Sequence, residues 1–302
     1  MLILGTGAMA CLFAARLSAA GIPVILLGAW REGLDALRRD GVVLEDMDGS
    51  QHSYPVRATD NPLDCAGELH ALVLVKSWQT RRAAAQLDQC LAERGVALTL
   101  QNGVGNREAL VEILGASRVA LGVTTVGATL LAPGRVRAAG QGIVALGVHD
   151  RLAPLAEMLR QAGFSVEDAP DPDELLWGKL VINAAINPLT ALLGVPNGEL
   201  LQRPTARLLL VSLAREAAAV AAAQGLSLPY ADPIAAAQDT ALRTAANRSS
   251  MLQDVQRGAP TEIDAICGAI LRVGEQYSVP TPTNRIVWQL VKALVTADRV
   301  ET

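Results

Sequence analysis

Along the first half of the chain, short apolar runs alternate with stretches whose apolar residues recur every three or four positions. MLIL (1–4), PVILL (23–27), ALVLV (71–75) and VALTL (96–100) read as strands, as do VALGVTTV (119–126), GRVRA (134–138) and GIVALGV (142–148). Helical spacing runs over 8–20, 78–93 and 152–162. Strands alternating with helices imply a parallel sheet covered on both faces. The pattern changes at EDAPDPDE (167–174), where two prolines among acidic residues mark a boundary. Beyond it, Ala/Leu-rich helical patterns cover 174–193, 204–224, 231–246, 261–277 and 284–298. The expected architecture is an α/β domain over 1–167 followed by an all-α domain over 168–302.

Composition refines this picture. A chain of 302 residues can bury two cores, and at 51% hydrophobic but only 3% aromatic those cores are aliphatic. A formal net charge of -4, with no basic run, argues against a nucleic-acid partner. Cys11, Cys65, Cys90 and Cys267 show no CxxC spacing, which suits a reducing cytoplasm and offers neither a disulfide framework nor a metal site. The longest apolar stretches are broken by Lys179, Asn183 and Asn187, or by Arg207 and Arg215, so no membrane span is expected. The apolar N-terminus lacks a basic leader and carries Arg16 where a signal peptide's apolar core would run on. The Ala/Leu-rich helical half suits pairing with a second copy, as a homodimer.

Gly5-Thr6-Gly7-Ala8-Met9-Ala10 follows the first strand and opens the first helix. This is the GxGxxA form of the dinucleotide fingerprint, and it makes the first domain Rossmann-type. Gly5 allows the tight turn, Gly7 lets a pyrophosphate approach the backbone, and free N–H groups of the helix receive the anion. A site for NAD carries an acid at the tip of the second strand; here Leu26-Leu27-Gly28-Ala29-Trp30-Arg31 has none. The missing acid and Arg31 favour the 2′-phosphate of NADP, and Lys76 lies on the same sheet edge. The plain alternative for Arg31 is a solvated loop cation, and Glu32 beside it weakens the phosphate reading.

WGKLVINAAINPLTALLGVPNGEL (177–200) reads as an apolar helix with a polar stripe, because Lys179, Asn183 and Asn187 are each four residues apart. Pro188 lacks an N–H, so a kink or interruption is expected there. Buried lysine and carboxamides need partners, and a substrate carboxylate or hydroxyl would supply them; a solvent-facing stripe is the alternative. NRSSM (247–251) reads as a break between helices and TEID (261–264) as a helix start. On composition alone, both are ordinary capping sequences.

Together these stretches resemble the ketopantoate reductase family over nearly the whole chain. The resemblance rests on LGTGAMA, LVKSWQT (74–80), QNGVG (101–105), the 177–200 block, NRSSMLQD (247–254) and TEID. It implies NADPH-dependent reduction of 2-dehydropantoate to pantoate, in pantothenate biosynthesis, with Lys179 as the catalytic acid and Glu262 near the reacting centre. It places Asn183, Asn187 and Asn197 on the substrate, with Asn247, Ser249 and Ser250 at its carboxylate end. Lys76, Asn102 and Ala128 would touch the cofactor. The family's phosphate-binding arginine falls, by direct count, at Ala29, two residues before Arg31. On this reading the asparagine stripe is half of an active site, and the glycine-loop domain supplies the other half across a cleft. The rivals are a reductase of another 2-oxo or 3-hydroxy acid and a non-catalytic NADP-binding sensor. His52, His70 and His149 lie in or beside strand-like segments with no carboxylate constellation, so histidine catalysis is not expected.

Overall fold

The computed structural model describes residues 1–140 and 142–297, so the last position of the expected 284–298 helix lies outside the described residues. The chain divides into two units: Met1–Gln101 with Asn106–Pro172, and Asn102–Gly105 with the chain from Asp173 onward.

In the first unit the strands are β1 (Leu2–Leu4), β2 (Ile25–Leu27), β3 (Val42–Glu45), β4 (Gln51–Tyr54), β5 (Arg57–Thr59) and β6 (Glu68–Val73). They continue as β7 (Leu91–Thr99), β8 (Val119–Thr124), β9 (Ala128–Ala132), β10 (Arg135–Ala138), β11 (Ile143–Gly147) and β12 (Ser165–Ala169). The helices are α1 (Ala8–Ala19), α2 (Arg31–Asp40), α3 (Thr80–Cys90), α4 (Asn106–Leu114) and α5 (Ala153–Gln161). The main sheet has the order β12-β11-β8-β7-β6-β1-β2-β5. It is parallel except where β11 runs against β8. Its inner strands are apolar on both faces because each face is covered. Phe13 and Leu17 of α1 pack on one side with Leu26, Leu72 and Leu98. Ala83, Leu87 and Leu110 of α3 and α4 pack on the other with Leu4, Ala71 and Val73.

A second sheet, β4-β3-β10-β9, was not anticipated as a separate layer. GRVRA forms β10 as expected, but the rest of this sheet defeats a pattern reading. Gln51–Tyr54 has no apolar alternation, and β10 pairs parallel with β3, Arg135 lying opposite Val43, 92 positions earlier. The helix expected over 78–93 is shorter: a 3-10 turn, Ser77–Gln79, precedes α3, and Leu91 already belongs to β7. Leu91 fits either period, and pairing with Glu68 decides for strand. The boundary expected after Glu167 falls inside β12, where Glu167 pairs with Ala145.

The second unit contains α6 (Pro172–Leu193), whose first residue belongs to the first unit, α7 (Glu199–Gln202) and α8 (Pro204–Ala223). It continues with α9 (Pro233–Arg243), α10 (Ser250–Gln256), α11 (Cys267–Gln276) and α12 (Pro282–Ala297). Trp177, Val181, Ala184, Leu189, Leu213 and Ile270 belong to its core. The interruption expected at Pro188 does not occur, and α6 runs through it. One lost N–H is offset by the burial of Ala184, Ala185, Ile186, Pro188 and Leu189 around it. By length and composition α6 could cross a membrane, but 67% of its apolar window is buried inside the unit. The helix expected from Thr261 begins only at Cys267, because the Ala265 carbonyl accepts from Val104 N–H at 3.0 Å rather than from a following helical turn.

α12 is held to α8 by Glu216. Its carboxylate accepts from the N–H groups of Thr283 (2.8 Å) and Asn284 (2.9 Å) and from Asn284 Nδ2 (2.9 Å). The two backbone groups are first-turn donors without intrahelical partners. Glu216→Ala is expected to cost about 1.5–3 kcal/mol, the range for hydrogen bonds to a charged group. A urea midpoint unchanged from wild type would show that solvent caps α12 equally well.

Candidate active site

The glycine loop lies at the C-terminal edge of β1. Gly5 has φ +120°, and its N–H donates to Leu27 O at 2.8 Å. A Cβ there would lie 3.0 Å from Leu74 O, so the turn nests against the end of β6. Gly7 caps α1 in extended geometry without a side-chain bond, no acid sits in the first turn, and nothing lies within 4 Å of where its Cβ would be. Thr6 is buried, whereas Ala8 and Met9 at the helix start are only partly so. The start of α1 is therefore uncapped and open beside Gly7, with no anionic side chain in its first turn, which fits a pyrophosphate.

Arg31 opens α2 just beyond β2. It is exposed and makes no hydrogen bond or ion pair among the described residues. Glu32, its neighbour, is engaged by Trp30 Nε1 at 3.0 Å. Lys76 follows β6 on the same edge and is partly buried. Ala128 begins β9, just beyond the end of β8, and is partly buried. The four elements of the first unit expected to hold a cofactor thus lie at strand ends of one edge, which is where parallel α/β sheets bind their ligands.

In the second unit, α6 presents Lys179, Asn183 and Asn187 on one face, the first two partly buried and the third buried. Burial pushes the Lys179 ammonium down to about 8, and the negative charge of Glu262 opposes that fall. Glu262 is itself buried, in the turn before α11, and its Oε2 accepts from Asn102 Nδ2 at 3.4 Å. Lysine, glutamate and Asn102 are therefore brought together although they are 77 or more positions apart in sequence. Asn102 reaches this place because its loop docks on the 261–265 turn through Val104 N–H and through Gly103 against Ala265.

Asn197 is buried after α6. Its Nδ2 donates to Thr244 Oγ1 at 2.8 Å, and Thr244 in turn donates to Thr240 O at 2.7 Å, which fixes the amide's orientation. Asn197 Oδ1 is left as a buried acceptor with no donor, a position suited to a ligand hydroxyl. Asn247 is exposed, and its carbonyl accepts from Asn197 N–H at 3.0 Å. Ser249 is buried and caps α10: its Oγ accepts from Leu252 N–H at 3.0 Å and pairs with Thr190 Oγ1 at 2.7 Å. The capping alternative thus holds for Ser249, while Ser250 at the helix start is exposed. Thr190 escaped the sequence reading. It is fully buried and donates to Asn187 O at 2.9 Å, and its place three residues after Asn187 continues the polar stripe.

A parallel sheet bearing this cradle defines a dinucleotide-dependent oxidoreductase, with a lysine-centred polar set on an attached helical unit. Comparison with known proteins gives the family. Residues 1–151 match the family model described as ketopantoate reductase PanE/ApbA, and residues 171–295 match its C-terminal counterpart. The 2-dehydropantoate 2-reductase of Archaeoglobus fulgidus is 35% identical over 97% of this chain and 96% of its own length. The crystal structure of a PanE/ApbA family ketopantoate reductase from Ralstonia eutropha superimposes with a TM-score of 0.91 at 32% identity, covering 99% of this chain and all of that one. D-mandelate dehydrogenase, solved with NADH and anilino(oxo)acetate, gives a TM-score of 0.92 at 26% identity, with each chain covered completely. The chain belongs to the ketopantoate reductase family.

Proposed function

We propose that this enzyme reduces 2-dehydropantoate to pantoate with NADPH. The observation that carries this reading is the set Lys179, Glu262 and Asn102, assembled in a chain whose curated relatives act on that substrate. The bound dinucleotide supplies hydride to the C2 carbonyl carbon. Lys179, protonated, stabilises the charge developing on the carbonyl oxygen and gives it a proton. Glu262 keeps the ammonium charged against burial, and Asn102 orients the nicotinamide side of the reaction. Asn183 and Asn187 orient the substrate without adding charge, and Asn197 Oδ1 accepts from its hydroxyl. The reaction serves pantothenate biosynthesis in the cytoplasm.

A second reading has one observation in its favour: the likeness to D-mandelate dehydrogenase, solved with NADH, which points to another 2-oxo acid and to the unphosphorylated cofactor. One experiment separates them, following cofactor oxidation with 2-dehydropantoate and with benzoylformate, using NADPH and NADH. Faster turnover of benzoylformate would overturn the substrate assignment. For the cofactor, Arg31→Ala is expected to raise the KM for NADPH about tenfold and leave that for NADH unchanged, since one exposed phosphate contact is removed. An unchanged NADPH/NADH ratio would remove Arg31 from the phosphate site.

A further inference from the structure

Loop 102–105 carries Asn102 and is bounded by Gln101 and Asn106 of the first unit. The side chains of both bounding residues converge on one hydroxyl, that of Thr80. Gln101 Nε2 donates to Thr80 Oγ1 and to Val75 O, both at 2.9 Å. Thr80 Oγ1 lies 2.8 Å from Asn106 Oδ1 and 2.8 Å from Ser77 O. Thr99 Oγ1 completes the set by donating to Gln101 Oε1 at 3.0 Å. Thr80, Thr99, Gln101 and Asn106 are all buried, with exposures of 2%, 1%, 8% and 6%.

A hydroxyl has one proton and two lone pairs. Thr80 accepts from Gln101 through one lone pair and shares its proton between Asn106 and Ser77, so its single donor is committed within the network. Polar groups at these depths are costly unless satisfied, and a satisfied buried network is rigid. Between the two pinned ends the loop itself turns through Gly103 (φ +84°) and Gly105 (φ +104°), conformations that only glycine adopts readily.

We infer that the Thr80 hydroxyl is a positioning group for Asn102: by tying Gln101 to Asn106 it fixes the two ends of the loop and thereby aims the Asn102 amide. Thr80 is not a catalytic residue, and nothing in the network needs to touch substrate. The inference rests on the proposed function only in giving Asn102 a part in the reaction.

The test compares Thr80→Val, which keeps the shape and removes the hydroxyl, with Thr80→Ser, which keeps the hydroxyl. Thr80→Val is expected to lower kcat about tenfold through misplacement of a group near the chemistry. It should also raise the isotope effect on kcat with 4-deuterated NADPH and leave the NADPH Kd within about twofold. Thr80→Ser should restore all three. The side-chain amide resonances of Asn102 in a two-dimensional NMR spectrum should shift in Thr80→Val and return in Thr80→Ser. An unmoved Asn102 resonance in Thr80→Val, or equal losses in both variants, would overturn the inference. Should Thr80→Val fail to fold, Asn106→Ala removes one arm of the network and is read by the same resonance. If wild type does not turn over 2-dehydropantoate, the proposed function fails, and the Asn102 resonance still decides the role of Thr80.

Discussion

Lys179→Ala is expected to lower kcat for 2-dehydropantoate reduction by about 10³-fold, within the range for loss of a general acid, while leaving NADPH binding in place. The pH dependence gives the sharper test. Burial disfavours the charged lysine and Glu262 favours it, leaving the ammonium at about 8. Reduction needs the protonated form, so kcat/KM, which reports the free enzyme, holds below about pH 8 and then falls roughly tenfold per unit. Oxidation of pantoate needs the neutral amine as base, so the reverse reaction rises through the same pH. A bound substrate carboxylate favours the ammonium, so the step in kcat lies at higher pH than the step in kcat/KM. Lys179→Arg carries a charge that does not titrate in this range. It should keep part of the oxyanion stabilisation, lose proton transfer, and show no step. Profiles in both directions with the same sign of slope, or a step that survives in Lys179→Arg, would remove Lys179 as the acid.

The parts of this fold legible in the sequence are those whose signal is local. The apolar strands β1, β2 and β8 and the GxGxxA turn declare themselves, because a doubly covered strand is continuously apolar and a dinucleotide turn requires glycine at fixed places. The four-residue spacing of Lys179, Asn183 and Asn187 likewise survives folding, since α6 is regular through them. What was hidden depends on distant partners. β4 is polar along its length and exists because it pairs with β3. The continuous helix expected from Thr261 is replaced by an isolated turn, in which Ala265 and Ile266 N–H donate to Glu262 O, while a loop 160 positions earlier takes the Ala265 carbonyl and reaches Glu262. Ser249 shows both sides of the problem. Its capping propensity was readable, but its bond to Thr190, which links α10 to the polar stripe, was not. The role of Gly103 was invisible for the same reason, since QNGVG looks like an ordinary turn until its neighbour is known.

That neighbour makes Gly103→Ala the second variant of large expected effect. Gly103 has φ +84°, and an added Cβ would lie 2.5 Å from Ala265 O and 2.6 Å from Ala265 Cβ. The backbone oxygen cannot swing aside as a flexible side chain would. The loop must lift from the 261–265 turn, and with it go the Val104 N–H bond to Ala265 and the contact of Asn102 with Glu262. A displacement of about 1 Å at such a site costs on the order of 10²-fold in turnover, so kcat/KM should fall by about that factor. Backbone strain alone could also weaken the enzyme, and Gly105 supplies the control. Gly105 has φ +104°, also outside the range that alanine favours, but nothing lies within 4 Å of its Cβ position. Gly105→Ala therefore carries the conformational cost of roughly 1–2 kcal/mol in stability without the collision. Steady-state kinetics and thermal unfolding of the two variants should diverge: comparable losses in Tm, but a large loss of kcat/KM only in Gly103→Ala. Equal losses of activity would mean that loop strain, and not the docking of Asn102 beside Glu262, is what the glycine protects.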